Sequence, residues 1–449
     1  GCILQIDSSG IASPPEQITS SEFSAKGVSI KKWYSLSKVA KKSQGNLITN
    51  QHEAINLLES ALYKAVEGQL ISDVPLGAFL SGGVDSSMIV ALMSKISSNP
   101  VKTFTIGFNE TGYDEAVYAK KVSKHLKTDH HELYISPKDA YELIPSLPKL
   151  YDEPFADSSQ IPTYLVSKLA REHVTVSLSG DSGDELFGGY NRYLWGKDVW
   201  NKLKWMPPEM RHFLGRGIQK IPLSAWDGLG VALPKRYKIE FMGSKIHRLA
   251  GRLQTVNNLN DMYYSLVTEG YQEDNVVLGV GASLNTKLTS DRIITEFPDS
   301  EHRMMLWDAI TYLPDDILSK VDRAAMGVGL ETRIPFLDHK VVELAWRMPL
   351  EMKIKNKMGK WPLRQVLYKY VPKELIERPK AGFAIPIGQW IRGPLREWVE
   401  ELLDEDRLKN EGYFDSEQVS KMWAMHLSGE HGFTPRLWAI LMFQAWLDE

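Results

Sequence analysis

One string constrains this chain more than any other: Ser81-Gly82-Gly83-Val84-Asp85-Ser86-Ser87, reached from the apolar run 76–80 and followed by a helical pattern. A strand that turns at once into a helix through two glycines opens a parallel α/β unit. Gly82 and Gly83 permit tight backbone geometry and close approach of phosphate oxygens. Ser81, Ser86 and Ser87 add hydroxyl donors, and the helix amino terminus supplies oriented N–H groups for an anion. Asp85 puts a carboxylate where a magnesium ion bridging polyphosphate oxygens would sit. An ordinary strand-to-helix turn also uses glycines and serine caps, but the whole string in this context points to a nucleotide phosphate. A phosphate loop of the GKS/GKT kind is absent. Neither Gly196-Lys197 nor Gly359-Lys360 has the upstream glycine or the following Ser/Thr, and Gly279-Val280-Gly281 lacks the third glycine of a dinucleotide fingerprint.

The surrounding pattern sets the fold class. Strand candidates at 76–80, 101–106, 131–135 and 174–178 alternate with helical stretches at 86–97, 114–126, 137–147 and 161–173, which predicts an α/β fold with a doubly wound parallel sheet. A helix over 51–71 precedes it, from the spacing of Ile55, Leu58, Ala61, Leu62, Ala65 and Leu70. Residues 1–36 read as short strands at 3–7 and 30–34 around a Ser/Pro-rich turn. Residues 37–194 form the α/β domain, 195–300 a helical insertion, and 301–449 a helical carboxyl-terminal part punctuated by prolines.

The 53 basic and 56 acidic side chains leave a net charge of -3, which predicts no nucleic-acid footprint. No stretch reaches the roughly 18 apolar residues of a membrane span, and no signal peptide is visible. Cys2 is the only cysteine, which rules out an internal disulfide and fits a cytoplasmic protein. The chain opens on Gly1 rather than Met, so it is expected to be a piece or a processed form of a longer protein.

A second motif runs Leu178-Ser179-Gly180-Asp181-Ser182-Gly183-Asp184-Glu185-Leu186-Phe187-Gly188-Gly189-Tyr190. It follows the strand candidate 174–178, so its loop shares the carboxyl edge of the sheet with the first, where open α/β folds bind ligands. Asp181, Asp184 and Glu185 would repel one another unless a cation or a shifted proton compensates. Further motifs are Asp315-Asp316-Ile317-Leu318-Ser319-Lys320-Val321-Asp322-Arg323, then Leu330-Glu331-Thr332-Arg333-Ile334-Pro335-Phe336-Leu337-Asp338, and Gly359-Lys360 with Leu363-Arg364 and Lys380-Ala381-Gly382-Phe383.

In this order the motifs resemble the glutamine-dependent asparagine synthetase family, within the N-type ATP pyrophosphatases, from about residue 1 to 445 with a poorer match over 195–300. The resemblance implies an adenine nucleotide alpha hydrolase-like fold. It also implies a reaction in which a carboxylate attacks the α-phosphorus of ATP and ammonia then displaces AMP to form an amide. It assigns magnesium to Asp85 and Asp184 and ATP to the phosphate loop and to the backbone at Leu80, Ile106, Ser179 and Gly180. By the same resemblance Lys360 is expected to stabilise charge during activation and Asp181 to assist amide formation. Glu185, Lys320, Asp322 and Arg323 are weaker candidates, since basic residues on a helix are as often a solvated face. Glu331 and Arg333 are expected to form an ion pair bracing the helical domain.

The implied acceptor is aspartate, with ammonia from glutamine in a full-length enzyme. Residues 1–36, with Trp33-Tyr34, resemble the end of a glutaminase domain otherwise missing here. Cys2 then reads as a strand residue rather than that domain's nucleophile. Association as a homodimer is compatible with this reading. Asparagine-forming relatives commonly carry Glu where this chain has Asp181, and the shorter side chain moves the carboxylate by ~1 Å, enough to alter a geometry-sensitive step. Asp here also resembles relatives acting on other carboxylates, such as sugar uronic acids of polysaccharides. A β-lactam synthetase-like ligase and an inactive scaffold are the remaining alternatives.

Overall fold

The computed structural model describes residues 1–12, 22–25, 27–108, 114–232, 242–268, 276–279, 297, 299–377, 385–429 and 433–449. Lys380-Ala381-Gly382-Phe383 and parts of the 195–300 insertion lie outside them. At the amino end β1 (Cys2–Ile6), β2 (Phe23–Ala25) and β3 (Val28–Lys32) form a small antiparallel sheet in the order β1-β3-β2. The helix Gln51–Gln69 follows, its first turn closed by the Asn50 side chain accepting from the Glu53 amide.

The main sheet is parallel throughout. It contains β4 (Leu76–Phe79), β5 (Lys102–Phe108), β6 (Asp129–Ile135), β7 (Val176–Leu178) and β8 (Glu331–Arg333) in the order β6-β5-β4-β7-β8. From β4 the chain winds outward through β5 and β6, then crosses back to lay β7 on the other side of β4. The carboxyl ends of β4 and β7 therefore flank a topological switch point, the place where sheets of this class open a ligand crevice.

Side chains alternating along each strand feed two apolar cores. Ala78, Val176 and Leu178 join Leu58, Met88, Leu92, Trp307 and Trp346 on one side. Phe104 and Ile106 join Tyr151, Ile161, Trp390 and Trp438 on the other. The helix Val84–Ile96 that follows β4 buries most of its circumference, which holds the phosphate loop on a rigid support.

Two expectations change. Residues 137–147 do not make one helix: Pro137–Leu143 gives way to a 3-10 turn at Ile144–Ser146 and a second helix at Leu147–Tyr151. Pro145 and Pro148 lack the N–H groups a continuous helix would use. Glu331–Arg333, within the stretch expected to be helical, is the edge strand β8. The ion pair Arg333–Glu331 forms, at 2.6 Å. It braces the sheet edge rather than a helical domain, because Arg333 also donates to the carbonyls of Gln69 and Ile71 at 2.7 and 2.8 Å. Three polar residues in an edge strand carry no apolar period to detect.

Between residues 191 and 267 the described elements are helices, Asn191–Leu203, Pro208–Gln219, Leu223–Ala232, Met242–Thr255 and Leu259–Val267, and Val277 then makes an antiparallel bridge to Phe414. No described helix is long and apolar enough to cross a membrane.

Candidate active site

The loop after β4 is braced from within. The Ser86 hydroxyl accepts from the Ser81 amide at 3.2 Å and lies 3.0 Å from the Ser81 hydroxyl, which accepts from the Gly83 amide at 3.3 Å. Gly82 adopts φ +71°, and a Cβ there would come within 2.7 Å of the Ala119 nitrogen. Across the switch point, a Cβ on Gly180 would come within 2.7 Å of the Ser86 nitrogen. Glycine at 180 is what lets the two loops touch. Leu80, Ile106 and Ser87 are buried. Ser87 is completely buried and its hydroxyl has no hydrogen-bond partner among the described residues, so it does not line the loop as the donor expected from the sequence.

Lys360 carries the centre of the site. Its ammonium binds the carboxylates of both Asp85 and Asp184, the latter at 2.8 Å. Burial alone would push its pKa down, but Asp184 and Asp85 outweigh that and raise it above the ordinary lysine value. The side chain is only 8% exposed, so the two carboxylates rather than solvent compensate its charge. Lys360 sits at φ 57° and Ser182 at φ 77°, left-handed conformations that cost non-glycine residues free energy and cluster at functional sites. The Lys360 amide donates to the Phe187 carbonyl at 2.9 Å, which ties the lysine to the acidic loop.

Two aspartates aimed at one cation make a hard-oxygen donor set. It fits a magnesium ion, which takes one or two carboxylates and completes its shell with water and substrate phosphates. Among the described residues no group of three His, Cys, Asp or Glu side chains gathers to hold a metal alone.

The other acidic residues of the loop are held differently. Asp181 accepts from the Ser179 hydroxyl at 2.6 Å. Burial raises its pKa, and Ser179, Lys320 and Lys360 oppose the rise while Asp184 adds to it. Glu185 is buried and accepts from the Tyr190 hydroxyl at 2.7 Å. Burial first, then Asp184, pushes its pKa up to about 7.

The weaker candidates separate. Lys320 is buried, binding Asp157 at 2.5 Å, Ser159 at 2.8 Å and Asp316 at 3.9 Å. Asp316 stands on the π-helical turn Leu313–Leu318, a distortion frequent at functional sites. Arg323 makes a half-exposed pair with Glu153 at 3.3 Å, and Asp322 is exposed. Asp157 and Ser159 escaped the reading of the sequence because Asp157-Ser158-Ser159 before a helix looks like an ordinary cap. Asp308 escaped it as well, although one acid among Met304, Met305, Leu306 and Trp307 was a usable signal.

Comparison with known proteins identifies the family. The sequence profile of asparagine synthase matches residues 57–448. A glutamine-hydrolyzing asparagine synthetase of Bacillus subtilis is 30% identical over 400 residues, covering 89% of this chain and 60% of that protein. Another from the same organism is 27% identical over 73% of this chain and 47% of its own length. The amidase chyE of Penicillium rubens is 22% identical over 82% and 57%. The chain thus spans at most 60% of the length of these curated relatives. With the two loops meeting at the switch point and the profile covering most of its residues, the chain belongs to the asparagine synthase family.

Proposed function

We propose that this chain is the ligase part of an ATP-dependent amide-forming enzyme, which activates a carboxylate as an acyl-adenylate and converts it to an amide. One observation carries the reading: Lys360 is clasped by Asp85 and Asp184 where the phosphate loop and the acidic loop meet. A permanently charged, buried ammonium beside oriented N–H groups is suited to a step that gathers negative charge on phosphate oxygens.

In the first step a carboxylate oxygen of the acceptor attacks the α-phosphorus, and the bond to pyrophosphate breaks. The Ser81 hydroxyl and the amides at the head of Val84–Ile96 orient the departing pyrophosphate. Asp85 and Asp184 would hold magnesium, which when bound neutralises pyrophosphate charge. In the second step ammonia attacks the acyl carbon, AMP leaves with the bonding pair, and one proton must be lost. Asp181, with its raised pKa, is the group we assign to accept it.

Aspartate is the acceptor we favour, giving asparagine, with glutamine-derived ammonia supplied by a glutaminase in a longer form of the protein. Asp181 favours a second acceptor class, a sugar uronic acid, because it stands where asparagine-forming relatives commonly carry Glu. The test is pyrophosphate release from ATP with ammonia across a panel of carboxylates, with amides identified by mass. Release that depends on aspartate and yields asparagine supports the first reading; release that depends only on a uronic acid supports the second. No release with any carboxylate overturns both.

A further inference from the structure

Asp308 lies on the helix Ser300–Ile310 and is completely buried. A carboxylate in that position is tolerable only if it is fully hydrogen-bonded. The Tyr193 hydroxyl donates to Oδ2 at 2.5 Å and the Tyr263 hydroxyl to Oδ1 at 2.6 Å. Arg192 brings Nε to 3.0 Å and Nη2 to 2.9 Å of Oδ2.

Arg192 does more than neutralise Asp308. Its guanidinium lies 3.9 Å from the centre of the Tyr190 ring and 5.0 Å from that of Tyr312. Tyr190 in turn donates its hydroxyl to Glu185, the neighbour of Asp184 on the short helix Gly183–Phe187. A continuous path of contacts therefore runs from Asp308 to the acidic loop. Tyr263 stands on Leu259–Val267 in the insertion, with its ring stacked on Trp307 at 5.3 Å. It shares the same anchor.

We propose that Arg192 is a positioning residue: anchored by Asp308 and stacked on Tyr190, it holds Tyr190 against Glu185 and so fixes Asp184 opposite Asp85, and Tyr263 ties the insertion to that arrangement. The inference rests on the proposed function for the role of Asp184. The guanidinium is specific to the task. It is planar, sets Nε and Nη2 against one carboxylate oxygen and stacks on aromatic faces, whereas a lysine ammonium supplies charge without the plate.

The test uses Arg192→Lys and Tyr263→Phe in the whole chain, with calorimetric binding of ATP over a range of magnesium concentrations, thermal melting, and pyrophosphate release. Partners that orient metal ligands are worth on the order of 10–100-fold in metal affinity or activity. Arg192→Lys should accordingly raise the magnesium concentration for half-maximal ATP binding by about tenfold and lower kcat, with the KM for the carboxylate little changed. Tyr263→Phe should shift the magnesium requirement the same way by less. Lower melting temperatures with an unchanged magnesium requirement would reduce the path to a structural brace and overturn the proposal. If Arg192→Lys does not fold, Tyr263→Phe decides by the same comparison. A wild type whose ATP binding ignores magnesium overturns both this inference and the metal role of Asp184. Magnesium-dependent binding in the wild type with unchanged variants overturns the inference alone.

Discussion

Two lysines a short distance apart in the chain, Lys353 and Lys360, are both buried and meet opposite environments. Lys353 is fully buried at the end of Leu350–Lys353, its ammonium 4.6 Å from the centre of the Trp346 ring and without a hydrogen-bond partner among the described residues. Burial lowers its pKa to about 7. Lys360 is gripped by two carboxylates and its pKa moves up. The difference lies in what was buried alongside each lysine. A core can hold a lysine by letting it lose its proton; a site that must present positive charge to phosphate has to bury compensating anions with it.

Removing the cation breaks the comparison most severely. Lys360→Ala should lower pyrophosphate release by roughly 100- to 1,000-fold, the scale of losing a preorganised charge-stabilising group. It leaves Asp85 and Asp184 facing each other. Magnesium should then raise the melting temperature of Lys360→Ala more than that of the wild type, which thermal melts with and without the ion would show. Asp85→Asn comes next. It should raise the magnesium requirement by about 10-fold or more, seen in titrations of pyrophosphate release. Full activity at unchanged magnesium would sink the assignment of Asp85 as a ligand.

Lys353→Met sharpens the other half. Between about pH 7 and the ordinary lysine value, the unfolded chain holds a proton on Lys353 that the folded chain does not. Wild-type stability should therefore rise with pH across that window. Lys353→Met lacks this dependence, so it should be more stable than wild type near pH 7, with the gap closing towards pH 10 and pyrophosphate release unchanged. Melting curves across that range check the sign, and a gap that widens contradicts it. The smallest effect belongs to Asp322→Ala. An exposed side chain should change stability by no more than about 0.5 kcal/mol and leave turnover intact.

What could be read in advance follows the same division. The phosphate loop and Asp184 announce themselves because each sits in a compact local string whose glycines and acids have little structural reason to occur together, whereas Lys360, in a string without acids, was legible only through the family resemblance. Four of the five strands of the main sheet, β4 to β7, were legible as short strands between helical patterns. β8 was not, because Glu331, Thr332 and Arg333 form an edge strand whose pairing with β7 is a tertiary fact. Lys320 could not be told from a surface cation because its partners Asp157 and Ser159 lie far away in sequence. Arg192 was invisible for the same reason, and Asp308, whose apolar neighbours signalled burial, gave no sign of its partners. Their meaning lies in a hub closed by Tyr193 and Tyr263 from separate helices.

Carboxylate adenylation is the central claim, and isotope transfer tests it most directly. The wild-type chain would be given ATP, magnesium, ammonia and an acceptor whose carboxylate carries heavy oxygen. The account predicts AMP bearing one heavy oxygen, released together with unlabelled pyrophosphate. Heavy oxygen in inorganic phosphate, formed alongside ADP, would mean attack at the γ-phosphorus and would contradict it.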